Sequence, residues 1–353
     1  MVTEVVKIKD VSKAHMQLKH AGEIIKAGGL VAFPTETVYG LGGDALNKEA
    51  SQKIYAAKGR PSDNPLIVHV ADYDALHAIV KQIPKAAQQL AEKFWPGPMT
   101  LIFEKKDIVP METTGGLSTV AVRMPSHEVA REFIREAGGY VAAPSANLSG
   151  RPSPTKASHV IEDMSGRIEM IIDGEDADIG LESTIIDVTG ATPMILRPGY
   201  VTGTMVQEAV GTVAYDPAVF GTATEGLRPK APGMKYRHYA PQGELAIVRG
   251  EREQVISYIR SACEKKSEGE RVGIIATEET FSCYKADMVA NIGARQDQDA
   301  IAKHLYGILR DFDEQKITKI YSEEFDSSGI GQAIMNRLIK AAGHQIIDLR
   351  KEG

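Results

Sequence analysis

Short apolar runs of strand length alternate with segments of helical periodicity along almost the whole chain, and the alternation fails once, between residues 213 and 242. That pattern restricts the fold to a sheet covered by helices, an α/β or α+β architecture with a mixed sheet. His15–Ala27 repeats its apolar residues at helical spacing and stops at Gly28-Gly29. Leu30–Phe33 and Leu66–Val70 read as buried strands, and Lys48–Lys58 between them as a short helix ended by Pro61. Asp72–Ile83 and Pro84–Phe94 read as helices split at Pro84. Met99–Glu104, Thr119–Met124, Tyr140–Ala143, Met170–Asp173, Thr184–Val188 and Met194–Leu196 read as further strands.

Alternation resumes at Leu245–Val248 and runs to Gln345–Leu349, which predicts a small Rossmann-like α/β unit. Three parts follow: a first domain over 1–212, a linker over 213–242 and an accessory domain over 243–353. Solvated linkers are usually aromatic-poor. This one carries KYRHY, with two tyrosines, two cations and a histidine.

Chemistry-bearing residues gather where the strands of the first part end. PTETVYGLGGDA, residues 34–45, follows the strand at Leu30–Phe33. It places Thr35, Thr37 and Tyr39 hydroxyls beside Gly40, Gly42 and Gly43. Those glycines would permit positive φ and close backbone approach to a ligand, or serve a strand-to-helix turn alone. No P-loop and no helix-opening GxGxxG is present. KGRPSDNPLIVHV then supplies Lys58, Arg60, Asn64 and His69. Arginine and lysine there suit phosphate oxygens, though surface cations are the commoner case. His69 inside an apolar strand reads either as a satisfied core histidine or as a pocket wall.

Alternation places Thr119, Ala121 and Arg123 on one face of a strand. A buried arginine needs an anion, either a ligand or a neighbouring acid. Ser145, Asn147 and Ser153 cluster after the strand ending at Ala143, where small polar groups can cradle ribose or phosphate oxygens or simply cap a turn. Ser183 opens one strand and Arg197 closes the next. No GxSxG, HExxH or nucleophilic cysteine occurs in this half. The equipment is that of a nucleotide-handling site working by positioning and charge stabilisation.

A formal net charge of −6 argues against a dominant nucleic-acid surface. The two cysteines, Cys263 and Cys283, form no CxxC and no zinc spacing, which fits a reducing cytoplasm. The start, MVTEVVKIKD, has no apolar stretch of a secretory signal, and no run approaches the ~20 apolar residues of a membrane span.

In order along the chain, PTETVYGLG, KGRPSDNPL, FWPGPMTLIF, AVRMPSH, APSANLSG, LESTIID, ILRPG and APGMKYRHYAP resemble the threonylcarbamoyl-AMP synthase family in its two-domain form. The resemblance implies a YrdC-like twisted mixed sheet with flanking helices, followed by the smaller Rossmann-like domain. It implies a nucleotidyltransferase that makes threonylcarbamoyl-AMP and pyrophosphate from L-threonine, bicarbonate and ATP, with magnesium, for modification of tRNA beside the anticodon. Downstream threonylcarbamoyl-transfer proteins would be partners, with no stable grip on tRNA and no membrane required. The implied threonine residues are Thr37, His69, Arg123, Ala143 and Ser183. For ATP they are Lys58, Arg60, Asn64, Thr119, Ser145, Asn147, Ser153, Arg197 and Tyr236. Lys58 and Arg60 are the expected catalytic cations, no protein side chain is identified as a metal ligand, and Tyr236 is expected to close over the nucleotide. The competing reading is a module that grips double-stranded RNA or tRNA without threonine-dependent catalysis.

Overall fold

The chain was analysed as a computed structural model that describes residues 1–220, 231–232 and 239–351. It divides into two compact units, residues 1–149 with 153–235, and residues 150–152 with 236–353. Among the described residues no helix is long and apolar enough to cross a membrane.

The first unit is built on an eleven-stranded mixed sheet. Its spatial order is Glu4–Lys7, Met170–Asp173, Val31–Phe33, Gly40–Asp44, Val141–Ala142, Ile67–His69, Thr119–Arg123, Met99–Glu104, Thr184–Asp187, Met194–Arg197 and Ala214–Tyr215. The last strand falls inside the stretch read as linker and pairs parallel with Met194–Ile195.

Alternation along the central strands sends two sets of side chains to opposite faces. Val68, Leu101, Phe103, Val120, Val122 and Ile186 join a large core cluster on one face. Ile67, Ile102, Ala121, Ile185 and Leu196 form a smaller apolar cluster with Ala231. The smaller cluster is the face that matters for chemistry, because Arg123 and Thr119 share the parity of Ala121.

Two sequence expectations need correction. Gly40–Asp44 is a strand, antiparallel to Val31–Phe33, not a turn. Gly40, Gly42 and Gly43 have no positive φ. They are glycines because the sheet is crowded there: a Cβ on Gly42 would lie 2.8 Å from the Val141 side chain. The helix Lys48–Lys58 does form, capped by the Asn47 side chain at its start, but Gly59 at φ 62° ends it rather than Pro61.

The second unit carries five parallel strands in the order Met288–Asn291, Val272–Ala276, Lys319–Glu323, Glu244–Arg249 and Ile346–Asp348. Helices Arg252–Glu264, Gln298–Glu314 and Gly331–Ala341 connect them, which is the Rossmann-like arrangement.

Candidate active site

Strand register gathers the first group of polar residues. His69 pairs with Arg123 across one strand boundary, and Arg123 pairs with Thr100 across the next. Thr100 in turn faces Ile185, and its hydroxyl meets that of Ser183 at 2.7 Å. One row across the sheet therefore sets an imidazole, a guanidinium and two hydroxyls side by side. All four residues are buried.

Arg123 is the centre of this row. Its Nη1 donates to the Thr37 hydroxyl at 2.8 Å, and its Nη2 lies 2.7 Å from the Glu36 carboxylate. Thr37 is supplied by the tight segment after Phe33, which the Thr35 hydroxyl fixes by donating to the Val38 carbonyl at 2.6 Å. The Tyr39 hydroxyl points elsewhere, donating to the carbonyl of Glu175. Of the three hydroxyls in that segment, Thr37 alone reaches Arg123.

His69 is kept neutral. Burial, reinforced by the nearby Arg123 charge, pulls its pKa down to about 3. Its Nδ1 donates to the Ile67 carbonyl at 3.1 Å, and the ring packs edge-on to Phe33. Ala143 lies alongside, with its N–H donating to that same Ile67 carbonyl. Arg197 joins the row from the edge: its Nε and Nη2 donate to the Ser183 carbonyl at 3.1 and 2.9 Å.

A second group centres on Lys58, buried at the end of its helix. Its Nζ donates to the carbonyls of Ser145 and Asn147 at 2.6 and 2.5 Å, so the 145–147 segment fixes the ammonium. The Ser145 hydroxyl donates to Asn147 Oδ1 at 2.5 Å. Hydrogen bonds from Leu41 to Pro144 and from Ala146 to Tyr39 bind this segment to the chain that carries Thr37. Arg60 turns onto the carbonyls of Asn64 and Pro65. The buried Asn64 Oδ1 has no hydrogen-bond partner among the described residues. Ser153 donates to the buried Glu182 carboxylate at 2.6 Å.

Thr119 stands four residues before Arg123 on the same strand face, about 13 Å away at ~3.3 Å per residue. Between them lies the apolar floor of Ile67, Ile102 and Ala121. Ala231 is buried against that floor, and Arg197 Nη1 donates to the Pro232 carbonyl at 3.4 Å. Tyr236 lies outside the described residues.

Three participants escaped the sequence reading: Glu36, Thr100 and Glu182. Glu36 was legible only as an acid between two threonines. Thr100 was legible only through parity with Ile102 once the register to Arg123 is known.

The geometry has clear likenesses. The family model of the Sua5, YciO and YrdC proteins, described as "Telomere recombination", matches residues 23–199. A second, described as "Threonylcarbamoyl-AMP synthase, C-terminal domain", matches residues 201–343. The threonylcarbamoyl-AMP synthase of Pyrococcus abyssi is 47% identical over 332 residues, covering 94% of this chain and 95% of that protein. That of Bacillus subtilis is 47% identical over 332 residues, covering 94% of each. A crystal structure of P. abyssi Sua5 complexed with L-threonine superposes with a TM-score of 0.91 at 44% identity, covering 99% of this chain and 100% of that one.

Proposed function

The chain belongs to the threonylcarbamoyl-AMP synthase family, and from that premise we propose that it joins L-threonine, bicarbonate and ATP into threonylcarbamoyl-AMP and pyrophosphate. The observation that carries this reading is the buried Arg123, set with Thr37, His69 and Ser183 at one end of an apolar floor, while Lys58, Arg60 and Asn64 lie around segments tied to the other polar groups. A fixed guanidinium among hydroxyls suits an amino-acid carboxylate, and hydroxyls, amide and cations suit a nucleotide.

In this reading Arg123 and Thr37 hold the threonine carboxylate. Neutral His69, Ser183 and the Ala143 backbone surround the rest of the amino acid. Arg60, Asn64, Thr119, Ser145, Asn147, Ser153 and Arg197 line the ATP side. Lys58 sits between the two. Its ammonium stabilises the N-carboxylate of threonine as that group attacks the α-phosphate and pyrophosphate departs.

The hydrogen-bond donors described on this side are lysine, arginine and hydroxyls, which fit phosphate oxygens. Among the described residues no group of three or more His, Cys, Asp or Glu gathers as a metal site. A magnesium ion fits as one carried on the ATP phosphates, whose charge it neutralises. Ala231 on the floor and Pro232 at Arg197 support a linker that reaches the site, with Tyr236 as the proposed cover that keeps water from the mixed anhydride. The product then passes to proteins that transfer the group to tRNA. A cytoplasmic setting fits two free cysteines.

The test is pyrophosphate release with threonine, bicarbonate and ATP omitted in turn. Dependence on all three is expected; release that continues without threonine or bicarbonate contradicts the proposal.

A further inference from the structure

Among the described residues Glu36 is the one carboxylate in contact with Arg123, and nothing in the reaction as assigned above uses it. The two side chains are 8% and 5% exposed, with Glu36 Oε1 2.7 Å from Arg123 Nη2. A structural ion pair at this depth would be expected to align bidentate hydrogen bonds and satisfy its remaining groups. This pair does not. Beyond that single contact, Glu36 Oε2 and Arg123 Nε are buried without a hydrogen-bond partner among the described residues. Nη1 donates to Thr37, and Nη2 faces one Glu36 oxygen.

Each partner therefore holds the other's charge while keeping its hydrogen-bonding capacity open. The surroundings offer little else to fill it. His69 beside Arg123 is neutral. His127 feels the Glu36 charge, yet burial holds its pKa down, and its own Nδ1 is a buried atom without a hydrogen-bond partner among the described residues.

A neighbouring cation and anion with open donors and acceptors are the complement of an α-amino-acid zwitterion. We propose that Glu36 recognises the substrate's ammonium group while Arg123 takes the carboxylate, so that the buried pair is a two-part receptor for a free amino acid. In the empty site the pair neutralises itself. The entering zwitterion replaces one internal ion pair by two charge-assisted contacts, and no net charge is left buried. A ligand lacking the ammonium would leave the Glu36 carboxylate desolvated beside an occupied Arg123. Glu36 is thus a specificity-determining residue, and the inference rests on the assignment of Arg123 to the threonine carboxylate.

The experiment is calorimetric titration of the full chain with L-threonine and with 2,3-dihydroxybutanoate of matching stereochemistry, in which a hydroxyl replaces the amino group. Wild type is expected to prefer threonine by at least about 100-fold, the scale set by leaving a buried charged group unpaired. In Glu36→Gln, which is nearly isosteric, threonine should weaken by about the same factor while the hydroxy acid holds or improves, so that the preference collapses to within about 3-fold. Glu36→Asp keeps the charge and withdraws it by one methylene; an intermediate preference is expected. A wild-type preference carried unchanged into both variants, or an equal loss of both ligands, overturns the inference and leaves Arg123 as the carboxylate site. Failure of wild type to bind threonine overturns the site assignment itself.

Discussion

Two of the buried cations of the first unit, Arg123 and Lys58, are held in different ways. Arg123 sits in the middle of a sheet, against a carboxylate and a threonine hydroxyl, on a row fixed by strand register. Lys58 sits at a helix end, and the contacts described for it are to oxygens of one loop segment. A carboxylate partner tunes a cation for exchange with another charged group. The loop oxygens described at Lys58 instead fix the position of its ammonium. The difference fits the proposed division of labour, in which the sheet end would select the amino acid and the helix end would stabilise charge during the reaction.

The sharpest way to break that division is Lys58→Ala. Removing a preorganised charge aimed at the reacting group should lower pyrophosphate release by about 10³-fold at saturating substrates. Turnover near wild type would strip Lys58 of its role. Arg123→Ala comes next, raising the KM for threonine about 30- to 100-fold, as loss of charged hydrogen bonds predicts, with the KM for ATP within about 3-fold. Equal effects on both substrates would erase the distinction between the two ends.

Thr100→Val probes the row itself. Thr100 is fully buried, and its hydroxyl is 2.7 Å from that of Ser183. Leaving one buried hydroxyl without this partner should destabilise the fold by about 1–3 kcal/mol in urea unfolding and weaken threonine use about tenfold. Unchanged stability would show that the pair is not held.

A pH slope in stability probes the same row. His69 has its pKa lowered from 6.5 to about 3 by burial and by Arg123. The unfolded chain takes up a proton near pH 6.5 that the folded chain refuses until about pH 3. The stability contributed by neutral His69 is therefore present above pH 6.5 and drains as pH falls through that window. His69→Gln should flatten the dependence of unfolding free energy on pH between 6.5 and 3. A slope identical to wild type would mean that the imidazole titrates freely.

Much of this comparison was legible in the sequence, and the illegible part has a physical pattern. The helix Lys48–Lys58 and the strand face of Thr119, Ala121 and Arg123 follow from local periodicity, and both are present. The strand Gly40–Asp44 was hidden because three of its five residues are glycines, which signal a turn locally and are required here by crowding from Val141 and Phe33. Pro61 looked like the helix terminator because the left-handed Gly59 before it leaves no stronger mark in composition. Glu36 and Thr100 acquire meaning only through partners 87 and 83 positions away along the chain, and single-sequence periodicity carries no register between distant strands. The motif resemblance filled that gap for the residues to which it assigned a role; Glu36 in PTETVYGLG and Thr100 in FWPGPMTLIF lie within its motifs but received none.

The division between the two ends is tested most directly by a crossed measurement: the KM values for threonine and ATP in Arg123→Ala and in Arg60→Ala, each beside wild type. The account predicts that Arg123→Ala moves the threonine value alone and Arg60→Ala the ATP value alone, each by at least about tenfold. Both values moving together in both variants would contradict it.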